Sequence, residues 1–189
     1  MSTQTVHRVR VVERPRTAGA RHAAPLRRMA SPARKTAPVL LPAALPDAVA
    51  IHALVLEHLA EGHLLPRRLE DIQAHIGRFV VASIGVRVVA CAELAPLSAS
   101  VAEVRSLVVS ALARHRGVGQ TMVNELARRA RQDGFSKLCA FAHAPAYFVQ
   151  MGFSIVPHTW LPGKIEKDCR GCAQFRACGQ YAVIRDLCQ

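Results

Sequence analysis

The stretch Glu103-Val104-Arg105-Ser106-Leu107-Val108-Val109-Ser110, then Ala111-Leu112-Ala113 and Arg114-His115-Arg116-Gly117-Val118-Gly119-Gln120, decides the reading of this chain. Its β-branched, apolar first part, from Val101 to Val109, predicts a strand. Beyond Gly117, the residues Val118, Met122, Val123, Leu126 and Ala130 recur at helical spacing. Arg128, Arg129 and Arg131 fall on the other side, and Asp133-Gly134 supplies a stop. The strand therefore delivers the chain to a basic, glycine-bearing turn at a helix N-terminus. Unpaired N–H groups, the positive end of the helix dipole and glycines that admit close backbone approach suit this turn to a pyrophosphate. A nucleotide P-loop is excluded because no Gly-Lys-Ser/Thr follows. The dinucleotide fingerprint fails at its third glycine, where Met122 stands.

Upstream, Val39-Leu40-Leu41 reads as a strand. Pro46-Asp47 opens a helix with Ile51, Leu54, Val55 and Leu59 on one face, closed by Gly62. Leu69 to Ile76 gives a second short helix, and Phe79 to Ala82 with Val86 to Ala92 flank Gly85 as a hairpin. Downstream, Lys137 to Ala142 is a strand and Pro145 to Met151 a short helix, and Phe153 to Val156 and Gln180 to Leu187 are the last strands. The order β-α-α-β-β-β-α-β-α-β-β predicts an α/β (α+β) fold, a mixed central sheet flanked by helices.

The length of 189 residues accommodates one domain and an extension, and 51% hydrophobic residues can build a core. No run approaches the roughly 18 apolar residues of a membrane span, so a membrane partner is excluded. The net charge of +12 is unevenly spread. Up to residue 46, nine Lys and Arg face the single acid Glu13, so +8 of it sits there. That segment is rich in Ala, Pro and Arg and has no lasting period, so residues 1–37 are expected to be a disordered basic extension and 38–189 the folded domain. A solvated tail is the favoured reading over a transit peptide or a nucleic-acid arm, and nucleic acid enters as a partner only through this tail. Without a secretory segment the six cysteines point to a reducing, cytoplasmic setting rather than to disulfides.

Arg-x-x-Gly-x-Gly after a strand, followed by Tyr147-Phe148-Val149-Gln150-Met151-Gly152-Phe153, resembles the acetyl-CoA-binding core of the GNAT acyltransferase superfamily. The resemblance implies that Arg114, His115, Arg116, Gly117, Val118, Gly119 and Gln120 hold the CoA pyrophosphate. It also implies that Val108 and Val109 lie on a strand that splays from its neighbour to admit pantetheine. The N–H near Val108 would then polarise the thioester carbonyl. Three more segments are similar to short amino-acid N-acetyltransferases of the N-acetylglutamate synthase type. These are Gly62-His63-Leu64-Leu65-Pro66-Arg67-Arg68, Glu103-Val104-Arg105-Ser106-Leu107 and Leu161-Pro162-Gly163-Lys164-Ile165-Glu166-Lys167-Asp168-Cys169. This similarity covers about residues 39 to 187. It implies acetyl transfer from acetyl-CoA to the α-amino group of L-glutamate, the entry to arginine biosynthesis. Alternatives are another amine acceptor, such as a different amino acid, a polyamine or a protein lysine, and a non-catalytic acetyl-CoA-binding module.

A dicarboxylate needs fixed cations, and Arg67, Arg105 and Lys164 are the candidates. An ammonium cannot attack a thioester, so a base is needed. Glu103, on the same strand face as Arg105, is the candidate, with Ser106 expected on the opposite face. The usual Tyr of the short helix is replaced by Phe148; Tyr147, one place earlier, is expected to point elsewhere, which leaves the general acid unassigned. Gly163 and Glu166 stand where relatives more often carry a His and an aromatic residue. Cys169, Cys172 and Cys178 have partial zinc-ligand spacing, with Cys188 or His158 as a fourth ligand, but reduced thiols beside the substrate are the favoured reading and no metal is assigned. A homodimer is left open.

Overall fold

The structure, a computed structural model, describes residues 10–11, 37–62 and 64–188. In chain order the strands are β1 (Arg10–Val11), β2 (Val39–Pro42), β3 (Phe79–Ile84), β4 (Arg87–Pro96), β5 (Val101–Val109), β6 (Lys137–Ala142), β7 (Ser154–Val156) and β8 (Tyr181–Asp186). The helices are α1 (Ala48–Glu57), α2 (Leu69–Ala74), α3 (Val118–Gln132), α4 (Pro145–Val149) and α5 (Pro162–Lys164), the last continued by a π-helical turn, Ile165–Cys169. One mixed sheet in the order β1-β2-β3-β4-β5-β6-β8-β7 joins all the strands. Pairing is antiparallel except for β1 with β2 and β5 with β6. This is the predicted mixed sheet, with two additions: the edge pair Arg10–Val11 and the helical turns of 162–169. The expected tail disorder otherwise falls outside the described residues. Among those residues no helix is long and apolar enough to cross a membrane.

Strand alternation divides the sheet between two cores. Val80, Ala82, Ala90, Ala92, Ala102 and Val104 face α3, where Met122, Val123, Leu126 and Ala130 meet them. Phe79, Val81 and Cys91 face α1 and α2, against Ile51, Leu54, Val55 and Ile72. Each fully buried Leu, Ile or Met contributes about 1.5–3 kcal/mol by leaving water, so the helix faces read from sequence are what hold α1 and α3 in place. A third cluster packs Leu161 on Cys139, Val156 and Ala182, which pins the start of the α5 segment beside β6 and β8.

Candidate active site

Pairing between β5 and β6 runs from Val101 with Lys137 to Val104 with Ala140 and stops there. Phe141 and Ala142 continue alongside Ala182 and Tyr181 of β8, so the two parallel strands separate. A bulge accompanies the separation. Cys91 pairs with Val108 while Glu93 pairs with Arg105, so Ser106 and Leu107 stand against the single residue Ala92. Ser106 takes φ 49°, a left-handed conformation that costs energy for a residue with a Cβ. Faces exchange across the bulge: Val104 packs with α3, whereas Val108, four residues on, packs under α1 and α2.

A cavity of about 680 Å³ fills the opening. On the α3 side it meets the glycine-bearing turn. Gly117, at φ 73°, is the N-cap and offers no side-chain cap, so the N–H groups of Val118, Gly119 and Gln120 have neither a cap nor an intrahelical acceptor. A Cβ at Gly119 would run into the Tyr147 hydroxyl, the outer end of a side chain. Val108, Val109, Arg114, His115, Gly117, Val118, Gly119 and Gln120 all line the cavity, and Arg116 does not. The Arg114 guanidinium donates to Glu61 Oε1 at 2.6 Å and to the Val109 carbonyl at 2.9 Å, which ties the turn to the segment after α1.

The other half of the cavity gathers charge. Glu103, 3% exposed, accepts a hydrogen bond from Lys164 Nζ at 2.6 Å, and Arg105 Nε lies 4.0 Å from its other oxygen. Lys164 also reaches Asp168 at 2.8 Å, and Arg105 reaches Asp168 at 3.5 Å. Burial raises the Glu103 pKa, and the neighbouring Lys164 and Arg105 charges only partly oppose this. At Asp168 burial pushes upward too, but the Lys164 hydrogen bond and the surrounding cations prevail and lower its pKa. Arg67 Nη1 donates to Glu93 Oε2 at 2.8 Å and lies 3.5 Å from Ser106 Oγ. Arg67, Arg105, Lys164 and Glu103 are thus brought to one cavity.

Two expectations are corrected. Ser106 does not face away: the bulge and its left-handed backbone turn it into the cavity beside Arg67. Tyr147 does not point elsewhere. It lines the cavity with its hydroxyl over Gly119, and burial raises its pKa so that the phenol stays protonated. Glu103 is covered by the α5 segment through Lys164. Cys169, Cys172 and Cys178 line the cavity wall, and among the described residues no three His, Cys, Asp or Glu side chains are grouped to hold a metal ion. Glu93 and Asp168 were missed. Glu93 is the one acid in the apolar run Val88 to Leu94, and Asp168 stands four residues after Lys164; both were signals available in the sequence.

A sequence model described as the acetyltransferase (GNAT) family matches residues 49–153. An uncharacterized N-acetyltransferase of Chlorobaculum tepidum is 30% identical over 145 residues, covering 77% of this chain and 94% of that protein. Among solved structures, N-acetylglutamate synthase from Neisseria gonorrhoeae, complexed with coenzyme A and N-acetyl-glutamate, matches 83% of this chain with TM-score 0.73 and 25% identity. This chain spans 37% of that longer one. A Mycobacterium tuberculosis protein in complex with CoA has the same fold, with TM-score 0.66 at 22% identity over 79% of this chain and 99% of its own. The parted strands, the glycine turn at a capless helix and a family match over more than half the sequence lead to one conclusion: the chain belongs to the acetyltransferase (GNAT) family.

Proposed function

We propose that this protein transfers the acetyl group of acetyl-CoA to the α-amino group of L-glutamate by direct attack. The family, and a relative solved with coenzyme A and N-acetyl-glutamate, support this reading. The observation that carries it is the buried carboxylate of Glu103, set beside cations at the closed end of the strand opening. The free N–H groups of Val118, Gly119 and Gln120 would take the pyrophosphate, helped by the helix dipole. Pantetheine would run between β5 and β6 past Val108 and Val109. The thioester oxygen would accept from the backbone N–H near Val108, which stabilises the oxyanion as it forms. Glu103, with its pKa raised, takes a proton from the substrate ammonium, directly or through water. The amine nitrogen then bonds to the acetyl carbon, the C–S bond breaks and CoA leaves as thiolate, while the second proton that the nitrogen sheds on becoming an amide passes to solvent.

Arg67, Arg105 and Lys164 would bind the two substrate carboxylates. Each already has an acidic partner: Glu93 for Arg67, Asp168 for Arg105, and Glu103 with Asp168 for Lys164. That balance favours, as a second reading, an amino acid of lower negative charge. CoA-thiol release measured across a panel of amino acids, with mass spectrometry of the product, separates the two. Glutamate is expected to give the highest kcat/KM, and equal kinetics for glutamate and glutamine would overturn the dicarboxylate assignment.

A further inference from the structure

Glu93 stands beside the cavity, and the proposed reaction gives it no task. It is 2% exposed, sits on β4 at the bulge and is not part of the cavity lining. Its Oε2 accepts from Arg67 Nη1 at 2.8 Å. A carboxylate buried this deeply is costly unless paired, and Arg67 supplies its hydrogen bond. Arg67, by contrast, lies on the irregular stretch between Gly62 and Leu69, where no helix or strand fixes the backbone. Among the described residues its side-chain hydrogen bonds run only from Nη1, to Glu93 and Ser106. The Nη2 and Nε hydrogens are therefore left for another acceptor, and an arginine with one edge clamped can present the other as a fork to a carboxylate.

We infer that Glu93 is a positioning residue for amino-acid recognition: from the sheet behind the cavity, it fixes Arg67 on its irregular segment so that the free edge of the guanidinium meets a substrate carboxylate. The inference rests on the amino-acid reading above. It assigns to Glu93 no contact with substrate, cofactor or reacting atoms. The energetic logic is preorganisation, in which the protein orders the guanidinium before the substrate arrives.

The test is steady-state kinetics of Glu93→Gln, Glu93→Asp, Arg67→Ala and the double variant Arg67→Ala/Glu93→Gln, with glutamate and acetyl-CoA varied separately. For Glu93→Gln the KM for the amino acid is expected to rise about tenfold, while kcat and the KM for acetyl-CoA stay within about twofold. Glu93→Asp, which keeps the charge but withdraws it, should give a smaller rise. In the Arg67→Ala background, Glu93→Gln should add no further rise, a non-additivity that a generally destabilised protein would not produce. An unchanged or lowered KM for Glu93→Gln, with a raised KM for Arg67→Ala, would overturn the inference and leave the amino-acid reading standing. No effect of Arg67→Ala on that KM would instead overturn the reading beneath it. Should Glu93→Gln fail to fold, Glu93→Asp decides the matter by the same KM, and no change there counts against the inference.

Discussion

Lys164 Nζ lies 2.6 Å from Glu103 Oε1, across 61 residues of sequence, and joins the α5 segment to the central strand at the buried end of the cavity. The bond does two things at once. It covers the carboxylate, whose burial raises its pKa, and it supplies a positive charge that holds the rise in check. Glu103 is a base only when ionised, so activity should increase as pH rises through its pKa, which lies above the ordinary glutamate value.

Replacing Lys164 by Met removes the opposing charge and leaves the burial. The Glu103 pKa should move further upward, and the acidic limb of the kcat/KM profile should shift to higher pH. A profile of kcat/KM against pH for both proteins checks this, and a shift toward lower pH would contradict the assignment of Glu103 as base.

Glu103→Gln keeps the shape of the side chain and removes its basicity. We expect kcat to fall by about 10²–10⁴-fold, the usual contribution of a positioned general base, while calorimetric affinity for CoA is nearly unchanged. A loss of affinity with unchanged kcat would move Glu103 from catalysis to cofactor binding.

Gly119→Ala brings a Cβ into the Tyr147 hydroxyl, so the ring must shift within the cavity. We expect the Kd for CoA to rise about tenfold, equivalent to about 1.4 kcal/mol. Removing the hydroxyl as well, in Gly119→Ala/Tyr147→Phe, should recover part of the loss. A Kd that stays unchanged in Gly119→Ala would mean that the Tyr147 ring yields without disturbing the turn.

Arg114 and Glu61 form an exposed ion pair, the kind of contact worth about 0–1 kcal/mol to stability. Glu61→Gln should therefore leave the thermal midpoint nearly unchanged and free Arg114 toward an incoming anion, lowering the Kd for CoA about twofold to fivefold at low salt. Isothermal titration at two ionic strengths measures this, and the gain should shrink as salt is added.

Much of this architecture was legible in the chain. The 3.6-residue spacing of Val118, Met122, Val123, Leu126 and Ala130 depends only on local geometry, and so does the alternation that puts Glu103 and Arg105 on one face. The basic turn announced itself by composition. The orientation of Ser106 was not legible, because a bulge is set by how β5 registers on β4, a relation between residues such as Cys91 and Ser106, 15 apart in sequence, rather than a property of either strand. Tyr147 was misread for a similar reason: its aim depends on where α4 sits over Gly119. The pairings of Asp168 and Glu93 arise only when the α5 segment folds over β5 and when the irregular stretch carrying Arg67 folds over β4.

β5 carries one residue more than its partner β4 across the stretch that faces Ala92. The doorway between the strands is therefore a matter of count and not of side-chain identity. Exchanging one residue for another along this stretch changes the furnishing of the site, whereas deleting Ser106 would set Leu107 alone against Ala92, restore a regular ladder and remove the bend that the extra residue puts into β5. Val108 would still stand opposite Cys91 under α1 and α2, but the gap that receives a ligand would close up as ordinary sheet. Variation in this protein should thus tolerate substitutions along the strand far better than the loss of one codon.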